Sequence, residues 1–341
     1  MTETLFHISK NNMKCLVVQK PQATSFSVAC FVKVGSRHEN KQTEHGLSHV
    51  LEHLLFKRTK HYKDVLKTIE HMGALYNAYT TYDHTCYYFK VNAEMKHIKT
   101  TLSVRSDMRQ YPSMTKKDVA TELQVVMSEL RKNKDNKDAV LEETSQHVKY
   151  PSSHPLRKNI GGYEQNIAAY TQGDAIRHFK NHYVPSNCFL VCCGPVSPKK
   201  IKPLLTKMFN TTDAGRRQQQ IHAHVLKPVL QRKPSTLIKS SRFHQCHVNV
   251  YVRIPKSNLY DLPTVHILPL IVHVFGEGQE SRLFRELRRK HGLVYSIKTY
   301  PEYTEDNMFI RITTTCSFSK LFWSDSEQKK KYATIGLILK T

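Results

Sequence analysis

The chain has 341 residues, of which 39% are hydrophobic and 23% charged, a globular balance that excludes a disordered or fibrous protein and allows two domains. Lys and Arg total 52 against 28 Asp and Glu, a net charge of +24 that would suit an anionic partner. The basic residues are scattered, with the densest runs at 285–290 and 329–331, so most of the excess reads as solvated surface rather than a nucleic-acid stripe. Taken in chain order, residues 14–18 and 25–34 read as strands, the second alternating with period two. Residues 46–56 change to helical spacing, with Leu47, Val50, Leu51, Leu54 and Leu55 on one face. A helix over 64–72 stops at Gly73, and 74–81 with 84–92, rich in Tyr and Thr, make a hairpin. Helices follow over 94–110, 115–132 (Thr115 as N-cap) and 138–150. After a Pro151/Pro155 loop and a Gly161-Gly162 turn come a helix over 173–182 and a buried strand over 188–193.

Residues 211–235 are polar and irregular and read as a linker, after which the order of elements restarts. Residues 247–253 mirror 27–33, 293–300 mirror 75–82 and 308–313 mirror 87–92, each offset by about 220 positions. The expected fold is therefore α+β, with two similar sheet-plus-helices units. They comprise an N-terminal domain over 1–210 and a C-terminal domain over 236–341, the second truncated, because beyond Cys316 the chain turns polar before a full second copy is complete. Eight cysteines with no CxxC pair exclude a zinc ribbon, a thioredoxin-like motif or a disulfide scaffold. Cys30, Cys86, Cys188 and Cys246 lie in apolar strand-like runs, which favours a reducing compartment. The N-terminus has neither a secretory signal nor an Arg-rich amphipathic leader, and the most apolar segment, 265–275, is too short to span a bilayer. A cytoplasmic protein that does not engage the membrane is expected.

The strongest chemical signal is His49-x-x-Glu52-His53. Histidines four apart on a helix project side by side and can ligate one ion, with Glu52 beside them to take a proton; the order is that of inverted zinc-peptidase motifs. A chain of this composition would carry the pattern by chance in about 1 case of 20, so a third ligand matters. Catalytic zinc takes three protein ligands and keeps one position open. Glu122 and Glu129, two helical turns apart on the 115–132 helix, can supply one ligand and one residue that orients a ligand; without the histidines they would read as two solvated glutamates.

These residues resemble the pitrilysin/insulinase-type zinc peptidases, which include the mitochondrial processing peptidase subunits closest in size. Residues 44–57 follow that family's zinc-helix signature, and Glu129 lies 76 positions beyond His53, where shorter members carry the third ligand, with Glu122 at their second acidic position. Residues 73–80 are similar to the strand whose Asn-Ala edge, here Asn77 and Ala78, pairs with bound peptide. His154-Pro155-Leu156, Gly161, Asn166-Ile167, Tyr183-x-Pro185-x-Asn187 and Gly194 follow the family in order. Residues 281–288 with 292–296 resemble its C-terminal helix–strand segment, where an Arg and a Tyr seven apart, here Arg288 and Tyr295, reach the substrate.

The resemblance implies a zinc endopeptidase with one Zn²⁺ per chain on His49, His53 and Glu129, Glu122 behind them and Glu52 as general base. It implies half of a clamshell, and hence a homo-oligomer or a heterodimer with a homologous subunit. The alternatives are a catalytically inactive subunit of the same fold and a basic nucleic-acid-associated protein; no specific nucleic acid is expected.

Overall fold

The computed structural model describes residues 2–8, 10–39, 42–210, 245–254, 262–304 and 308–317, with Thr334 and Ile338. The linker expected at 211–235 lies outside the described residues. The chain divides into two compact units, Met1–Asn136 with Ser152–His224, and Lys137–Pro151 with Val225–Thr341.

In the first unit, β1 (Thr2–His7), β2 (Lys14–Gln19), β3 (Ser25–Val32), β4 (Leu75–Thr80), β5 (Thr85–Asn92) and β6 (Cys188–Gly194) make one sheet in the order β1-β2-β6-β3-β5-β4. All neighbours are antiparallel except β2 and β6. Alternation along β3 and β6 turns Phe26, Val28, Cys30 and Val32, with Cys188, Leu190 and Cys192, into the core. The predicted hairpin is β4–β5, with Ala78 opposite Tyr87, and β4 forms the sheet's edge.

Among the described residues seven α-helices accompany this sheet, α1 (Leu47–Leu54), α2 (Val65–Glu70), α3 (Met95–Gln110), α4 (Lys116–Asp135), α6 (Glu164–Ala169), α7 (Gln172–His182) and α8 (Pro198–Phe209), with α1, α3 and α8 packed against its strands. The helix α5 (Lys137–Lys149) belongs to the other unit. α1 packs on β4 and β5 and is backed by α4 and α7. Leu47, Val50, Leu51 and Leu54 are wholly buried there, each stabilising by about 1.5–3 kcal/mol, so the helix is rigid where it presents its polar residues. Three elements of this unit, β1, α6 and α8, were not expected from periodicity. β1 buries only Phe6 and joins the sheet through backbone bonds to β2, and α8 carries Pro203 but buries Ile201, Leu205 and Phe209 four apart.

In the second unit, β7 (Cys246–Ile254), β8 (Ile297–Tyr303) and β9 (Met308–Cys316) form an antiparallel sheet in the order β7-β9-β8, with α9 (Leu262–Gly276) against β8. This repeats β3-β5-β4 with α1 against β4, as the offset of about 220 predicts, although Pro269, Val272 and His273 stand where the first copy has His49, Glu52 and His53. The expected 1–210 domain differs in one segment: α5 groups with the second sheet. Its buried Lys149 pairs with Glu302 and lies 4.4 Å from the Tyr251 ring, Glu142 pairs with Arg311, and Ser145 accepts a bond from Asn249. A helix read only from local spacing gives no sign of these partners more than a hundred residues away.

Candidate metal centre

α1 begins under unusual constraint. Its N-cap, Gly46, has φ +95°, and a Cβ there would meet Gly161 O at 2.6 Å, so only glycine fits. Gly162, at φ +80°, meets the same segment from the other side, where a Cβ would lie 2.5 Å from His45 O. Gly46 has no side chain to cap the helix, and Glu39 does this instead. Glu39 Oε2 accepts from Gly46 N and Oε1 from Ser48 N, both at 2.8 Å. Burial pushes its carboxyl up, while the Gly46 and Ser48 N–H groups favour the ionised form that accepts at both oxygens. The Tyr170 hydroxyl donates to His45 O at 2.6 Å, and Ser48 Oγ lies 3.1 Å from His178 Nε2.

One turn into this helix, His49 and His53 stand edge to face with ring centroids 4.8 Å apart. Glu129, from α4, brings Oε2 to 3.7 Å from His49 Nε2 and 3.4 Å from His53 Nε2. The three donor atoms lie within 4.8 Å of one another, and among the described residues this is the one such group of His, Cys, Asp or Glu. Tetrahedral donors about 2.0–2.1 Å from a common zinc ion stand about 3.4 Å apart; Glu129 Oε2 meets this with His53 and comes near it with His49, and two imidazole nitrogens with one carboxylate oxygen are a donor set suited to zinc. Glu122, two turns before Glu129, places Oε2 3.4 Å from His53 Nδ1, and its Oε1 is 2.6 Å from Lys57 Nζ. A carboxylate behind a ligating imidazole fixes the ring's tautomer and orientation.

The electrostatics separate the two histidines. Burial and the neighbouring His53 hold His49 down at about 4. Burial would also lower His53, but bonds to Glu122 and Glu129 outweigh it and lift the ring to about 9. Glu52 sits on the β4 side of α1, where the Thr80 hydroxyl donates to its Oε2 at 2.6 Å. Burial raises Glu52 above the ordinary carboxylate range, with Thr80 and His53 opposing. On the same strand, Asn77 Oδ1 accepts from Ala78 N at 2.9 Å at the sheet's edge.

The structure thus brings together His49, His53, Glu129, Glu122 and Glu52, with Asn77 and Ala78 on the adjoining strand. Arg288 and Tyr295 lie in the second unit. Arg288 belongs to a π-helical turn, Phe284–Lys290, and its guanidinium donates to Val294 O at 3.1 Å and sits 5.0 Å from the Tyr295 ring. Tyr295 is 77% exposed. Sequence reasoning missed Glu39, Thr80 and Lys57. Lys57 and Thr80 stood inside recognised segments without a stated partner, and the one clue to Glu39 was a helix start lacking a Ser, Thr, Asp or Asn cap.

In the first copy the HxxEH helix converges with a distant glutamate, whereas the corresponding helix of the second copy carries Pro269, Val272 and His273. Residues 14–157 match the family model described as insulinase (peptidase family M16), and 169–325 match the peptidase M16 inactive domain. An uncharacterized zinc protease of Rickettsia felis is 28% identical over 320 residues, covering 93% of this chain and 74% of its own length. The uncharacterized zinc protease YmxG of Bacillus subtilis is 27% identical over 311 residues, 89% of this chain and 71% of its own. Among solved structures, a protease from Helicobacter pylori superimposes with a TM-score of 0.78 at 21% identity, over 93% of this chain and 75% of that one. The periplasmic protease PqqL of Escherichia coli gives 0.72 at 17% identity, over 93% of this chain but 36% of that one. The chain belongs to the insulinase (M16) family of zinc proteases. No helix among the described residues is long and apolar enough to cross a membrane.

Proposed function

We propose that the protein is a zinc-dependent endopeptidase acting on extended peptides or unfolded segments, with one zinc ion held by His49, His53 and Glu129. The observation that carries this reading is the convergence of those three donor atoms within 4.8 Å. Zinc, when bound, supplies a Lewis acid that polarises a carbonyl and acidifies water. Glu52 takes the proton of the attacking water on its carboxylate and returns it to the leaving amine. Thr80 keeps that carboxylate in place through Oε2, and Glu122 holds the His53 ring from behind. An extended substrate adds to the β4 edge, where main-chain bonding at Asn77 and Ala78 displaces the bond between Asn77 Oδ1 and Ala78 N and carries little sequence preference. Tyr295 donates to the developing oxyanion, and Arg288 positions the substrate. A partner of the same fold, a second copy or a homologous subunit, completes the chamber. This chain covers 36% of PqqL but 69% of the separately solved first half of that protein, consistent with one half of such an enzyme.

Zinc per purified chain tests the reading without a substrate. Wild type should hold close to one ion, and His49→Ala and Glu129→Gln should each hold much less. Glu52→Gln should keep zinc while hydrolysis of an unfolded polypeptide falls by at least about 100-fold. A folded wild type without zinc would favour the non-catalytic subunit instead, and substantial turnover by Glu52→Gln would remove Glu52 as the base.

A further inference from the structure

The segment from Gly35 to Glu39 touches both halves of the proposed catalytic apparatus. At one end it is bonded to the tip of the β4–β5 hairpin: Ser36 N donates to Thr81 O and Arg37 N to Tyr82 O, both at 3.1 Å, and Arg37 pairs with Asp83 at 2.8 Å. A Cβ at Gly35 would meet Thr81 O at 2.3 Å, so the two backbones lie in direct contact. At the other end Glu39, 1% exposed, takes the Gly46 and Ser48 N–H groups. Ser48 is the residue before His49, and Thr81 follows Thr80, which holds Glu52. One five-residue segment therefore grips the strand that carries the proposed substrate edge and the helix that carries two proposed metal ligands.

We propose that Glu39 is a positioning residue of the metal centre, fixing the start of α1 relative to β4 so that His49 and His53 meet Glu129 while Glu52 meets Thr80. A helix start leaves its first N–H groups without intrahelical partners, and Glu39 satisfies two of them from outside the helix. A buried carboxylate is expensive to keep unless it is bonded at both oxygens, and here both are bonded to backbone donors. Replacement by glutamine leaves one acceptor and turns an amide donor toward the other N–H, so one bond is lost and α1 is free to pivot about its first turn. The helix would remain formed, because Leu47, Val50, Leu51 and Leu54 still anchor it. The inference rests on the zinc reading above.

The test compares wild type, Glu39→Gln and Tyr170→Phe, the last of which removes a bond to His45 O in the same region without touching Gly46 N or Ser48 N. Zinc affinity is measured by competition with a chromophoric chelator, and the ligand field by the visible spectrum of the Co²⁺-substituted protein. Glu39→Gln should bind zinc about 10- to 100-fold more weakly and shift the Co²⁺ bands, whereas Tyr170→Phe keeps both near wild type. Wild-type affinity and an unchanged Co²⁺ spectrum in Glu39→Gln would overturn the inference alone. Absence of zinc binding by wild type would overturn the proposed function and this inference with it. Should Glu39→Gln not fold, Glu39→Asp, whose shorter arm cannot reach both donors, is read in the same way. Failure of both to fold would assign Glu39 to stability and overturn its positioning role.

Discussion

Lys57 and Glu122 show how a side chain outside the ligand set can govern the centre. Glu122 is 5% exposed at its side chain and lies between Lys57 on one oxygen and the His53 ring on the other, whose bonds hold it below the ordinary carboxylate range against the effect of burial. Removing its charge by Glu122→Gln should weaken zinc binding about 10- to 100-fold, as read by the same chelator competition, a smaller loss than that expected of Glu129→Gln. Equal zinc loss in the two variants would instead make Glu122 a ligand. At this scale the sequence is informative where chemistry is local. His49, Glu52 and His53 lie within one turn and a half, and Glu122 and Glu129 share a helix face, so spacing alone groups each set. Thr80 and Glu39 are reached across 28 and 9 positions by contacts with no periodic signature, and they became visible only in the fold.

Among the elements, α1 is the one on which the rest converges. Its predicted apolar stripe is its buried face, and its polar residues are left to face Glu129 on α4 and Thr80 on β4. The turn at Gly161 and Gly162 is its least substitutable neighbour. Gly162→Ala would force a side chain into a left-handed conformation and against His45 O. We expect a loss of about 1–3 kcal/mol in the denaturant midpoint analysis, accompanied by weaker zinc binding. Unchanged stability would mean that the turn moves away from α1 without cost. The hydrophobic pattern made α1, α4 and the β4–β5 hairpin legible. It could not assign α5 to a unit, because the ion pairs to Arg311 and Glu302 that hold the helix are specified by neither helix spacing nor propensity.

Across the whole first unit, buried and half-buried histidines set the response to acid. His38 and His182 are each lowered to about 4, chiefly by burial, and His178 falls well below the ordinary value for the same reason, with its ring 4.4 Å from that of His182. A histidine whose folded pKa is depressed binds its proton more readily when unfolded. Its stabilising contribution is therefore present above about 6.5 and is lost as pH falls from there toward about 4. In a His49→Ala background, where metal loss plays no part, the melting temperature should fall steeply over that interval, and His182→Gln should shallow the slope. A slope unaltered by His182→Gln would exclude this cluster as a source. The duplication of the α+β unit was readable as a steady offset because strand order and helix placement are repeated, while Pro269 and Val272 show that the chemistry was not.

The position of β6 has a consequence for how the chain comes to be folded. It lies between β2 and β3, yet it is made from residues 188–194, long after both of its neighbours. A nascent chain that ends before residue 188 lacks the strand that joins β2 to β3, so the β1–β2 pair has no sheet neighbour through which to reach β3, β5 and β4. Because that closure brings together strands some 170 positions apart, it is slow by its topology, and the exposed edges of β2 and β3 are open to wrong pairings while they wait. Chains halted before residue 188 should accordingly be captured by chaperones, and release should follow completion of β6.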